Sequence, residues 1–397
     1  MGSVGEERAF DLALFGATGF TGGLTADYLA AHAPPGMRWA LVGRDRAKLE
    51  AVAARLAAAS PSGPVPELLV ADAGDRASLE RVATSARVVA TTVGPYALYG
   101  APLVAACAAA GTDYLDLTGE PEFVDRMWIE NHAVAERTGA RLIHCCGFDS
   151  IPHDLGAQFT VEHLPEGVPL TVNGYLRSNA EFSGGTYHSA INAFARFRQT
   201  QAAAKQRKRS EPRAAGRKIH GGGLGIRRDE ELGGWVLPLP TIDGPIVRRS
   251  AAALERYGPD FTYGHHLVVG GLGAVAGLSA GVGALAVLAP LPPTRKLLLR
   301  YKAPGEGPSE ERRARSWFKV TFVGEGGGER VVTEVSGGDP GYTETAKMLA
   351  ESALCIAFDE GLPRVAGQVT TATAMGDTLR ARLEAAGIVF ALKSGAA

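Results

Sequence analysis

The sequence predicts an α/β protein in which an N-terminal doubly wound parallel sheet leads into a C-terminal mixed α/β part. Three observations predict it. An apolar run at 10–15 passes through three regularly spaced glycines, Gly16, Gly19 and Gly22, into Leu24, Tyr28 and Leu29 at helical spacing. Strand-like and helix-like runs then alternate as far as His144. Beyond Asp149 the rhythm changes to alternating strands, a long helical stretch and a Gly/Ala-rich segment, 267–291, without a charged residue. The length of 397 residues, 46% hydrophobic, suits one large or two medium domains. The boundaries expected are 1–150 for dinucleotide binding, 151–345 for a substrate- or membrane-facing part and 346–397 for C-terminal helices.

The first turn, Gly16-Ala17-Thr18-Gly19-Phe20-Thr21-Gly22, has the form of a phosphate cradle. One glycine makes the tight turn, one lets backbone approach a pyrophosphate, and one packs helix on strand, with the phosphates at the helix N-terminus. Gly16, Thr18, Gly19, Phe20, Thr21 and Gly22 are thus candidate cofactor contacts. The spacing is G-x-x-G-x-x-G, not the commoner G-x-G-x-x-G, so a ligand-free strand-turn-helix is the alternative.

A second strand at 37–42 runs into Gly43-Arg44. Arg44 stands where an NAD-specific fold places an acid on the ribose 2′-hydroxyl. An arginine there, with Lys48 one helical turn on, suits a 2′-phosphate through charge-assisted bonds, so the expected cofactor is NADPH. Ordinary surface charge at a helix start, with Asp45 as N-cap, is the other reading. A helix at 46–58, a strand at 66–70, a helix at 76–83 and strands at 88–93, 113–117 and 141–144 continue a Rossmann-type sheet. Its ligand crevice lies at the carboxyl ends of the strands. That places Asp72 beside the adenine and Val93, Gly94, Pro95 and Tyr96 under the ribose and nicotinamide, with Thr118-Gly119-Glu120 following the fifth strand. Turn chemistry alone also explains Gly, Pro and Asp at such ends.

These stretches, together with Cys146-Gly147-Phe148-Asp149-Ser150-Ile151-Pro152, Gly305-Glu306-Gly307-Pro308-Ser309 and the run from Gly337 through Asp339 to Ala346, resemble the saccharopine dehydrogenase-like oxidoreductases. Within them, the branch containing the trans-acting enoyl reductases is the most similar. The resemblance spans nearly the whole chain and implies an NADP-dependent oxidoreductase whose last part packs back on the cofactor domain. One departure is Thr371, where a Thr-Pro-Ala turn is expected.

The expected reaction is reduction of an activated carbon-carbon double bond in an acyl thioester, within lipid or polyketide-lipid biosynthesis. Tyr96 is the expected proton donor, with Asp149 and His153 orienting substrate or shuttling protons; a surface histidine at a helix start is the plainer reading of His153. No catalytic triad or metal cluster is visible. A saccharopine-type amino-acid dehydrogenase is one rival, and it needs cationic clamps for several carboxylates. A non-enzymatic NADPH-binding protein of a lipid surface is the other.

A strand at 170–177 and a helix at 187–208, opened by Ser183, precede a basic run: Arg196, Arg198, Lys205, Arg207, Lys208, Arg209, Arg213, Arg217 and Lys218. It reads as a solvated face, an anionic-lipid contact or a dock for an acidic carrier protein. Nucleic acid is not expected, because no aromatic platform accompanies the charge. The stretch 267–291 is long enough to cross a bilayer, yet Arg295, Lys296, Arg300 and Lys302 prefer the same side as the cofactor domain. A break at Gly281-Val282-Gly283, giving a re-entrant or monotopic hairpin, fits better; a buried glycine-packed pair or an acyl channel is the alternative. A hairpin at 317–335 and helices at 343–358 and 375–386 complete the chain.

Cys107, Cys145, Cys146 and Cys355 show no metal spacing and suggest a reducing compartment. The net charge of −1 gives no global pull toward polyanions. The N-terminal residues 1–8 resemble neither a signal nor a transit peptide. The expected location is cytoplasmic, or peripheral at the cytoplasmic face of a membrane, and a homodimer is open.

Overall fold

The structure, a computed structural model, describes residues 8–180, 184–212, 215–223, 225–301 and 307–394. Ser183, Arg213, Lys302, Gly305, Glu306 and residues 1–7, invoked above, lie outside the described residues.

The first half alternates as expected: β1 (Phe10–Phe15), α1 (Phe20–His32), β2 (Trp39–Gly43), α2 (Arg46–Ala59), β3 (Glu67–Val70), α3 (Arg76–Ser85), β4 (Ala86–Thr91), the single turn α4 (Tyr96–Tyr99), α5 (Ala101–Ala110), β5 (Asp113–Asp116), α6 (Pro121–Thr138) and β6 (Arg141–Ile143). Every residue of β1 and β2 is buried, as helices on both faces of a parallel sheet require. Asp45 and Asp75 cap α2 and α3 through their side chains, and Gly111 and Gly139 end α5 and α6 in the left-handed conformation.

The second half contains α7 (Ile151–Glu162), β7 (Leu170–Ser178), α8 (Gly184–Ala195), α9 (Phe197–Ser210), β8 (Lys218–Gly222), β9 (Arg227–Asp229), β10 (Gly234–Pro238), α10 (Asp243–Ala253), β11 (Asp260–Val269), α11 (Leu272–Leu288), α12 (Pro292–Tyr301), α13 (Glu310–Arg315), β12 (Phe318–Gly326), β13 (Glu329–Gly337), α14 (Thr343–Phe358), β14 (Gly367–Val369), α15 (Thr371–Ala374), α16 (Gly376–Ala385) and β15 (Val389–Ser394). One sheet is parallel throughout, in the order β14-β6-β5-β4-β1-β2-β3. The other is mixed, β15-β13-β12-β7-β11-β10-β9, with β8 also on β11. Helix α7 packs on β12 and β13, so closely that a Cβ on Gly156 would lie 2.4 Å from the Phe322 ring. Helix α14 lies against α1 and β4 and spans the boundary expected between residues 345 and 346.

Three local expectations are corrected. The helix expected at 187–208 is two helices meeting at Arg196, because α9 turns to pack along α6. There half-buried Arg196 pairs with Glu122, and buried Arg207 bonds Glu211 and Asp125 over the Trp128 ring, so these two members of the basic run are tied to the protein's own acids. Gly281-Val282-Gly283 does not break the apolar segment. Helix α11 runs through it and ends before Pro290 and Pro292, where the missing amide hydrogens stop it. The same helix is neither buried nor glycine-packed: of its residues only Val275 is buried, and a Cβ on Gly273, Gly277, Gly281 or Gly283 would meet nothing within 4 Å. The hairpin of β12 and β13 closes on Gly327 and Gly328, both at positive φ, between Gly326 and Glu329.

Candidate active site

The glycines of the cradle divide their work. Gly16 has a φ of +92° and leaves room for Val93 and Thr92, whose side-chain atoms would stand 2.7 and 2.8 Å from a Cβ there. Gly22 sits so near the Gly16 carbonyl that a Cβ would fall 2.1 Å from its oxygen. Both are demanded by the fold. Gly19 is different: it is exposed, and a Cβ there would meet only the Gly16 carbonyl, at 3.4 Å. Helix α1 starts beside it with no side-chain cap and no acid in its first turn. The Gly19 amide itself donates to the Gly16 carbonyl at 3.0 Å, so the loop offers an anion the uncapped first-turn amides of α1 that follow it, beside exposed Thr18 and Gly19, which fits a dinucleotide pyrophosphate.

Phe20 turns the other way. Its ring packs where a Cβ on Gly307 would be only 2.2 Å away, edge-on to Tyr342 at 4.9 Å and beneath the Arg313 guanidinium at 5.4 Å. Two distant sequence motifs, around Gly307 and Tyr342, thus close on the cradle through Phe20. The Thr21 carbonyl accepts from Thr25 within α1.

A Cβ on Gly43 would stand 3.7 Å from the Thr18 methyl group, which places the end of β2 beside the cradle. Arg44 and Lys48 are exposed and carry no ion pair among the described residues, whereas Arg46 is tied to Glu50. Asp45 caps α2 by accepting from the Lys48 amide at 3.1 Å. Two free cations beside an open phosphate cradle fit a 2′-phosphate. Asp72 is exposed at the end of β3, where its carboxylate accepts from the Gly74 amide at 2.8 Å in a turn.

Gly94 is exposed and Pro95 half-buried after β4, but Tyr96 points inward. Its hydroxyl donates to the Thr91 carbonyl at 3.0 Å and accepts from the Leu117 amide at 3.2 Å. Burial, with Asp116 nearby, pushes that hydroxyl well above its ordinary range. In this geometry the Tyr96 hydroxyl braces β4 against β5. Glu120 is also structural, its carboxylate accepting from the Tyr96 and Ala97 amides at 3.1 and 3.0 Å.

Asp149 is placed differently. It is half-buried in the loop after β6, its carboxylate lying over Gly119, where a Cβ would stand 2.6 Å from it. No hydrogen bond reaches it among the described residues. Burial pushes its carboxyl up to about 7, with the Asp243 carboxylate adding to the rise and His153 opposing it. The same loop holds two non-glycine residues at positive φ, Cys145 at 64° and Ser150 at 137°, the kind of strain that gathers at sites.

Behind Asp149 is a buried cluster that only the fold assembles. His153 of α7 places Nδ1 3.0 Å from Asp243 at the start of α10, and His265 of β11 places Nε2 3.5 Å from the same carboxylate. The two imidazoles meet edge to face at 4.6 Å, and Thr241 also bonds Asp243. His153 is thus buried, not a surface histidine. Burial opposes ionisation of Asp243, but the His153 imidazole, its hydrogen bond and His265 outweigh it and hold the carboxyl well below the usual range. Burial, then the neighbouring His153 imidazole, pushes His265 down to about 3, so its ring is neutral. The three ligand-type atoms lie within 4.8 Å of one another, a grouping invisible in the sequence because its members come from separate elements. A cavity of about 440 Å³ lies elsewhere, at Arg228, Trp235 and Gly270, away from this chemistry.

Residues 12–143 match the family model of the saccharopine dehydrogenase NADP-binding domain. The chain is 37% identical over 421 residues to a trans-acting enoyl reductase of Mycobacterium tuberculosis, covering 97% of this chain and 98% of that protein. It is 36% identical over 415 residues to one of Mycobacterium ulcerans, covering 96% and 97%. Saccharopine dehydrogenase (L-Glu forming) from Saccharomyces cerevisiae shares the fold, with a TM-score of 0.56 at 13% identity over 97% of this chain and 99% of that one. With its cradle, its free Arg44 and these relatives, the chain belongs to the saccharopine dehydrogenase-like family, in the trans-acting enoyl reductase branch, and is an NADP-dependent oxidoreductase.

Proposed function

We propose that this protein reduces the α,β double bond of an acyl thioester, in the assembly of a lipid or polyketide lipid. The observation that carries the reading is Asp149: a carboxyl without a hydrogen-bond partner, raised to about 7, at the carboxyl end of the parallel sheet. The names of the relatives support it. NADPH, once bound, supplies a hydride for the β-carbon. Asp149 holds the matching proton at neutral pH and gives it to the α-carbon, so that two electrons and one proton beyond the hydride nucleus complete the saturated thioester. His153, fixed by Asp243, returns a proton to Asp149. Phe148, next to the acid in the chain, stands edge-on to both His153 and Phe318.

The test is NADPH oxidation by the purified protein with an enoyl thioester, with the saturated product identified by mass. Asp149→Asn should lower turnover by about 10²- to 10⁴-fold, the usual weight of a general acid, while NADPH still binds with unchanged affinity. Full turnover in the Asn variant would remove Asp149 from the chemistry. Oxidation only in the presence of an amino acid and its oxo-acid partner would favour the amino-acid dehydrogenase instead.

A further inference from the structure

Helix α11 is apolar on every side and exposed around most of its circumference, with Val275 its one buried residue. Its seventeen residues are Leu, Gly, Ala and Val with one Ser, and no charge. Leu272 is 63% exposed, Val282 51%, Val287 68% and Leu288 37%. At about 100° per residue these four lie near 0°, 280°, 60° and 160° around the axis, so no single flat partner could cover them. An amphipathic helix awaiting a protein groove shows one apolar stripe. An all-round apolar helix needs a solvent that surrounds it.

The length narrows the choice. Seventeen residues make a rod of about 25 Å, short of the roughly 30 Å hydrocarbon core of a bilayer, and no helix among the described residues is long and apolar enough to cross a membrane. The flank supplies the complementary charge. Leu291 and Leu297 are exposed at 49% and 69%, beside Arg295, Lys296 and Arg300 of α12, none of which has an acidic partner among the described residues. In the sequence no acid occurs between Asp260 and Glu306.

We propose that α11 inserts into one leaflet of an anionic lipid bilayer, without crossing it, while the cations of α12 meet the headgroups. The helix is solvated by acyl chains, and α12 lies at the level where phosphate charge is densest. Insertion does not depend on which reaction the site performs.

The full chain is floated with phosphatidylcholine vesicles, with and without phosphatidylglycerol. Wild type should rise with the vesicles, more so with phosphatidylglycerol, and added salt should weaken that preference. The variant L272S/V282S/V287S/L288S should bind about a hundredfold more weakly, with unchanged melting temperature and NADPH affinity, since those side chains touch little protein. Lys296→Glu and Arg300→Glu should each reduce only the phosphatidylglycerol-dependent part, by about fivefold or more. Wild type left behind in flotation overturns the proposal. So does a lipid-free dimer that the serine variant abolishes, for a second copy would then cover the helix. Unfolding of the serine variant, with the charge variants binding as wild type, would mean interior packing and also overturn it.

Discussion

A carboxyl that titrates near 7 leaves two signatures, one in rate and one in stability. If Asp149 must carry the proton, turnover should be flat below neutrality and fall by about tenfold per pH unit above its pKa. The stability argument has its own sign. An aspartate in an unfolded chain titrates near about 4, so between that value and about 7 the folded protein holds a proton that the unfolded chain has lost. Stability therefore declines as pH rises through that window and levels off above it. Asp149→Asn removes the charged form, so the gap in melting temperature between variant and wild type should widen in the variant's favour from pH 5 to pH 8. A constant gap would show that the carboxyl is not raised. Arg44→Asp should weaken NADPH by about 1.5 to 3 kcal/mol and NADH much less, measured by calorimetric titration; equal losses would detach Arg44 from the 2′-phosphate. Arg44 was legible because its position is set by distance from the glycines along one βαβ unit. Asp243 and His265 were not, since nothing in the chain announces that α10 and β11 bring them to His153.

Among elements, the cradle separates glycines that shape the loop from the one that serves a ligand. Gly22→Ala forces a methyl group to within 2.1 Å of a carbonyl oxygen and should cost about 1–3 kcal/mol or more, seen as a lowered melting temperature. Gly19→Val should leave the melting temperature nearly unchanged and abolish binding of both cofactors, since its side chain projects into the space open to the phosphates. If both variants behave alike, that division fails. Periodicity placed most strands and helices to within a few residues because each repeats its own pattern. It failed where neighbours decide: the basic helix bends at Arg196 to reach Glu122 and Asp125, and the glycines inside α11 are tolerated because only proline removes the amide a helix needs. Exposure of α11 could not be read at all, as an apolar helix has the same composition whether a core or a lipid surrounds it. Thr371, the departure from the expected turn, also gains meaning only in three dimensions. Its hydroxyl and the Ala372 amide donate to buried Asp154 at 2.7 and 2.9 Å.

At the scale of the whole molecule, the two sheets are joined by α7, by α14 and by the chain that follows it. Strand β14 adds an edge to the parallel sheet beside β6, and β15, only twenty residues further on, adds an edge to the mixed sheet beside β13. Joined this way, the sheets should melt together, with one transition by calorimetry and by tryptophan fluorescence; two separated transitions would show that they are independent. The same arrangement sets a clock for synthesis. A ribosome releases residues from the N-terminus onward, so β6 and β13 wait with open hydrogen-bonding edges until residues 367–394 emerge. Until then the nascent chain is a substrate for chaperones and for its neighbours on a polysome, and a message that stops early yields two sticky sheets, not one finished half.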